Sequence, residues 1–306
     1  MSGSLHETGR VAPGGLRHDP RRGALLMIGS TLAFTLMSAL IKWSATRIPV
    51  PEMMFFRNFL AVPVVVLFAL RRKAGLRTRR FGGHFTRACT GLMAMGCSFW
   101  ALTLMPIADQ TAMAYTTPLF VILLSVPMLG ERPGWQRWAG VGVGFAGVMV
   151  VGLGQGAFGN GAVPGWAYGV ALLNGVFSGV TTMLVRQLSA TESSATIVLW
   201  QSVLMASLTA LMLPFVWVTP TGREFLMLLG VGTLGALGQV MLTEAFASAQ
   251  VSSLGPYSYT ALIWAILLGW VVFGDPPSGT MLAGSALIVL AGLVVVRGEM
   301  RARRPG

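Results

Sequence analysis

Apolar residues in this chain come in long runs separated by short polar breaks, with neither the stripe of an amphipathic helix nor the alternation of a strand. Runs of about 18 or more apolar residues predict membrane-spanning helices. Ten such spans are expected, at 23–45, 51–70, 84–104, 108–129, 138–153, 164–187, 195–217, 223–248, 251–272 and 278–296. The breaks between them carry helix-stopping residues: Pro49 and Pro51, Pro106, Gly130 and Pro133, Pro164, Pro220, Pro276 and Pro277. The pattern therefore predicts an all-α membrane protein.

Of the 306 residues, 54% are hydrophobic and only 10% are charged, under half the charged share of about 25% in soluble domains. A soluble enzyme, a disordered chain and a disulfide scaffold are excluded. Cys89 and Cys97 fall in one span without metal-ligand spacing and read as packing residues. A net charge of +12 would suit a nucleic-acid partner, but the placement of the basic residues excludes one. They gather at the chain ends and in alternate loops. One side holds Arg10, Arg17, Arg21, Arg22, the run Arg71, Arg72, Lys73, Arg77, Arg79 and Arg80, then Arg132, Arg137, Arg186, Arg297, Arg301, Arg303 and Arg304. The other side holds Arg47 and Arg223. This is the positive-inside bias. It predicts a multi-pass protein of the inner (plasma) membrane with both termini cytoplasmic and the lipid bilayer as its surroundings. Residues 1–22 and 298–306 read as cytoplasmic tails, the first lacking the apolar core of a signal peptide.

Shifted by 144 residues, the chain matches itself. Tyr115-Thr116 meets Tyr259-Thr260, Ile122-Leu123-Leu124 meets Ile266-Leu267-Leu268, and Gly130 meets Gly274. Glu131 meets Asp275, Pro133 meets Pro277 and Ala139-Gly140 meets Ala283-Gly284. The same register sets Lys42 on Arg186, Arg57 on Gln201 and Gly91 on Gly235. The two copies occupy 23–153 and 164–297, five spans each. An odd number of spans makes the second copy enter the membrane from the opposite side. The expected architecture is two inverted five-helix repeats, which in secondary transporters places a substrate near the midplane between the halves.

Several segments are similar to the drug/metabolite transporter superfamily, in its ten-helix EamA-type branch. They are FFRNFLA (Phe55–Ala61), ALTLMPIADQTAMAYTTPLF (Ala101–Phe120), LSVPMLGERPGWQRWAGVGVGFAGVMVV (Leu124–Val151) and the weaker copy FGDPPSGTMLAGSALIVLAGLVVV (Phe273–Val296). The likeness covers roughly residues 23 to 297, with Asp275 in place of the usual glutamate. It implies secondary transport of a small organic solute by alternating access. Members of the branch handle amino acids, riboflavin, S-adenosylmethionine and other metabolites. Export of amphipathic drugs or toxic metabolites is the alternative, with a non-transporting scaffold or sensor behind it.

Enzymatic motifs fail on inspection. Gly142–Gly147 and Gly154–Gly159 fit Gly-x-Gly-x-x-Gly, but no acid occurs between Glu131 and Glu192 to complete a dinucleotide site. Lys42-Trp43 and Lys73-Ala74 cannot form a phosphate loop. His6, His18 and His84 lie in the tail or at a membrane edge, so no cofactor, metal or acid–base cluster is expected. The glycines of the fifth and eighth spans read as sites of close helix packing, within one chain or across a homodimer.

Polar residues inside spans carry the functional expectation, because each costs several kcal/mol unless partnered or wetted. Arg57 is either an ion pair with Glu52 or Asp109 or a cavity cation for an anionic group. Lys42, a turn from its span's end, is expected to snorkel outward. Glu244 is the proton-coupling candidate, with a structural pair to Arg186 as its other reading. Tyr115 and Tyr259 occupy matched positions near Pro118 and Pro256, which predicts matched broken helices at a binding site. With Thr116, Asn174, Gln201, Gln239 and Trp264 they are expected to line an aromatic, hydrogen-bonding cavity for a small-molecule substrate.

Overall fold

A computed structural model describes residues 20–71, 78, 80–130, 134–154, 163–248 and 251–302. The N-terminal tail to residue 19, most of the basic run at 72–79, Glu131-Arg132-Pro133 and residues 155–159 of the second glycine motif lie outside the described residues. Every regular element among those described is helical: α1 (Pro20–Ser44), α2 (Val50–Arg71), α3 (Phe81–Leu104), α4 (Ile107–Ala114), α5 (Thr117–Leu129), α6 (Trp135–Gly154), α7 (Gly165–Leu188), α8 (Ser194–Val216), α9 (Gly222–Ser248), α10 (Val251–Ser258), α11 (Thr260–Phe273) and α12 (Gly279–Ala302).

Eight helical stretches among the described residues are long and apolar enough to cross a membrane. The chain is thus an all-helical membrane protein. Two of those stretches, Ile107–Met128 and Pro256–Phe273, run through a helix break. The expected third span, α3, is diluted by His84, Arg87 and its small residues, while the apolar part of α12 covers only Gly279–Val294.

Local chemistry sets the helix ends. Proline precedes α4 (Pro106) and α7 (Pro164), where its missing N–H costs nothing. Ser193 caps α8 by accepting the Thr196 N–H at 3.1 Å. Gly130 and Gly274 end α5 and α11 with φ of 65° and 68°, a left-handed turn that favours glycine. Helices pack as α1 on α9, α3 on α7, α2 on α8 and α9, and α6 on α12. The main core cluster, including Ile41, Ile48, Met53, Phe56, Leu102, Ile107, Leu228 and Met281, gathers around the α1–α2 turn.

The Lys42 head group has partners within the protein. Its ammonium donates to the Met105 carbonyl at 3.1 Å and to Asp275 at 3.3 Å, and lies 5.2 Å from the Phe273 ring centre. A cation near the end of α1 here finds acceptors within the protein, at the α3–α4 junction and after α11.

Candidate functional site

The two helix breaks meet. At the first, Tyr115 and Thr116 turn their N–H groups to the carbonyls three residues back, Ala112 and Met113. Pro118 has no N–H for the Ala114 carbonyl, which instead accepts the Thr117 hydroxyl at 2.8 Å. At the second, the Leu262 N–H turns to Tyr259 rather than to Ser258, one residue further back. The Ser258 carbonyl accepts the Tyr115 hydroxyl at 2.7 Å. Tyr115 and Tyr259 lie against each other with ring centres 4.9 Å apart. A tyrosine from one break therefore satisfies a carbonyl at the other. Tyr115→Phe removes one net hydrogen bond, about 1 kcal/mol, and is expected to lower the melting midpoint by about 2 °C. Thermal unfolding of the detergent-solubilised protein measures it.

Beside the breaks lies a cavity of about 590 Å³ between α1, α3, α4 and α7, with Arg57 on its wall. Tyr115 and Asn174 line it too, with Phe34, Phe99, Met37 and Met95 supplying apolar surface. Its polar lining includes Ser30, Thr31, Thr35 and Ser38 of α1, Ser98, Gln110, Thr111 and Thr117. Several of these hydroxyls are already engaged: Ser30 donates to the Gly238 carbonyl at 2.9 Å and Ser98 accepts from Gln110 at 2.8 Å. The α1 stripe was readable, since residues 30, 31, 35 and 38 share one helical face within an apolar span. Beyond Ser38, the Lys42–Asp275 contact and the core cluster close the end of α1 that leads to the α1–α2 turn.

The other expected site residues are placed differently. Thr116 is fully buried away from the cavity, its hydroxyl donating to Met113 at 2.7 Å. Gln201 and Gln239 line a separate void of about 10 Å³ with Arg57 and Ser202. Tyr259 directs its hydroxyl at Gly292 of α12. The Trp264 indole N–H is buried without a hydrogen-bond partner among the described residues. Glu244 stands 3.8 Å from Arg22, outside the cavity lining.

Arg57 shares in both spaces. One guanidinium nitrogen donates to Asn58 Oδ1 at 3.1 Å, and Nε is buried without a partner. No carboxylate among the described residues comes within 4 Å of it. Glu52 instead accepts the Val218 N–H at 3.0 Å, and Asp109 is buried on α4. The expected ion pair is not formed, leaving a cation at a cavity wall. Such a site can bind a small molecule with an anionic group and an apolar or aromatic body.

Comparison with known proteins places this geometry in context. The model of the EamA-like transporter family matches residues 21–153 and 165–297. The chain is 31% identical to a riboflavin transporter of Rhizobium johnstonii, over 92% of this chain and 93% of that protein. It is 31% identical to the pseudopaline exporter of Pseudomonas aeruginosa, over 90% and 96%. It is also 27% identical to an S-adenosylmethionine uptake transporter of Rickettsia felis, over 91% and 92%. A solved crystal structure superposes with a TM-score of 0.61 at 26% identity, covering 92% of this chain and 99% of the other.

Proposed function

The chain belongs to the EamA-like transporter family, and from that premise we propose that it carries a small organic solute across the inner membrane by alternating access. It is a transporter of small molecules rather than an enzyme. The solute we propose is an amino acid, riboflavin or a similar aromatic or heterocyclic compound, held in the cavity that Arg57, Tyr115 and Asn174 help to line.

The carrying observation is the cavity of about 590 Å³ that touches both helix breaks and is closed at the α1–α2 end. A site shut on one side is one of the two states that alternating access requires. The packing supports the proposed ten helices in two inverted repeats. Moved by 144 residues, α1 to α6 fall on α7 to α12. Under that shift α1 on α9 exchanges with α7 on α3, and α2 on α9 exchanges with α8 on α3. The pairs α2 on α8 and α6 on α12 map onto themselves. With both termini cytoplasmic, the closed end faces outward and the cavity belongs to the inward-facing state.

Counterflow in proteoliposomes tests this. Vesicles preloaded with unlabelled solute are given trace labelled solute, from a panel of aromatic amino acids, riboflavin, S-adenosylmethionine, a cationic dye, succinate and citrate. The expected result is uptake of one compound only where the same compound is inside. Folded protein that gives no such exchange across the panel overturns the reading.

A further inference from the structure

Among the described residues, the half-buried Arg57 is not the only inward-facing cation with no acid within 4 Å. Arg87, on α3, is 7% exposed. It donates to Gln201 Oε1 at 2.6 Å, its Nε has no partner, and no carboxylate among the described residues lies within 4 Å. Arginine stays protonated in proteins, and a buried guanidinium without a counter-charge is costly. Helix packing alone gives no reason to hold two of them.

Gln201 joins the two. It accepts from Arg87 on one side and borders, with Arg57, Ser202 and Gln239, the void of about 10 Å³ on the other. A polar strip thus runs from the cavity wall through Arg57 and Gln201 to Arg87. Gln201 is also the repeat counterpart of Arg57, so the strip lies where the two halves face each other on α2 and α8.

We infer that Arg57 and Arg87 are the two cationic ends of one anion-recognising strip, and that the solute carried is an organic anion bearing a carboxylate or phosphate. This rests on the transporter reading above and deepens it. Arg57 meets the anionic group from the open cavity. Arg87 is a specificity residue, reached when α8 shifts against α2, and it favours solutes with a second anionic group over those with one.

The test uses the full chain in detergent and thermal unfolding at matched ionic strength. Probes are inorganic phosphate, succinate, citrate, glutamate and phenylsuccinate, each carboxylate set against its neutral amide. At least one anion is expected to stabilise the protein where its amide does not. Arg87→Gln is expected to weaken that binding by at least about tenfold, the worth of one charge-assisted contact, whereas Arg87→Lys retains most of it. Gln201→Glu supplies an internal carboxylate beside Arg87. It is expected to raise the melting midpoint of the unliganded protein and abolish the anion effect, so loss of binding is separated from loss of fold. Equal effects of anions and amides, or anion binding untouched in Arg87→Gln and Gln201→Glu, overturn the inference. Counterflow distinguishes the two readings. Exchange of a neutral solute untouched by Arg87→Gln removes the anion strip and leaves the transporter. Anion binding that follows these variants without any wild-type exchange leaves the strip and removes the transporter.

Discussion

Arg57→Ala is expected to reduce counterflow of the transported solute about 100-fold, with the melting midpoint unchanged or raised. The two halves of that result come from one fact. A charge-assisted contact between a guanidinium and a solute anion contributes about 1.5–3 kcal/mol, and its loss translates to roughly 10- to 150-fold in binding. A guanidinium serving only as a structural ion pair would behave oppositely, because removing it strands a buried carboxylate at a cost of about 3–5 kcal/mol. No carboxylate among the described residues stands within 4 Å of Arg57. Its removal relieves a desolvated charge and strands nothing but the Asn58 Oδ1, which bears its 3.1 Å contact. Arg57→Lys keeps the charge but loses the planar fork, and an intermediate loss of about tenfold is expected. Normal counterflow in Arg57→Ala, or a large fall in its melting midpoint, would remove Arg57 from the binding site.

The helix breaks illustrate what the sequence could carry. Tyr115 and Tyr259 stand at matched positions beside Pro118 and Pro256, and proline's missing N–H is legible in a single sequence. That the two breaks would touch, with the Tyr115 hydroxyl on the Ser258 carbonyl, depends on how the halves pack and leaves no mark in either segment. Arg57 was legible as costly, but its partner was not: Glu52 and Asp109 were both candidates, and packing turned Glu52 to Val218. Arg87 is the fourth residue of the expected span 84–104, a position that carries no sign of burial in the sequence. Only the structure puts it against Gln201. Thr116 misled in the opposite direction, because a hydroxyl beside a break can serve its own backbone, here Met113, as readily as a ligand. The partners of Lys42, Asp275 and the Met105 carbonyl, were likewise not legible, since both lie far from it in sequence.

The glycines of the fifth span were readable as a group but not one by one, and their differences give the strongest stability prediction. Gly147→Leu is expected to cost about 3 kcal/mol or more, enough to leave little monodisperse protein in detergent. A Cβ at 147 would lie 2.7 Å from the Gly284 carbonyl oxygen and 3.0 Å from the Ile288 nitrogen. A Cβ at 284 would lie 2.6 Å from the Gly147 carbonyl oxygen and 2.9 Å from the Val151 nitrogen. Backbone atoms stand among the obstacles at both positions, so moving a side chain aside is not enough and α6 and α12 must part. Gly144→Ala meets only the side chain of Leu119, which can move, and a smaller loss is expected. Gly142 has nothing within 4 Å of its Cβ position. Gly142→Leu is therefore expected to be neutral or stabilising by up to about 1 kcal/mol, since leucine favours the helix. Size-exclusion recovery and thermal unfolding of the three variants give the order. Because α6 on α12 maps onto itself under the 144-residue shift, this contact lies between the two proposed repeats. A backbone contact of this closeness permits little sliding, and under the alternating-access proposal it is the joint about which the other helix pairs would rearrange. If Gly147→Leu melts like the wild type while Gly142→Leu does not, that joint lies elsewhere.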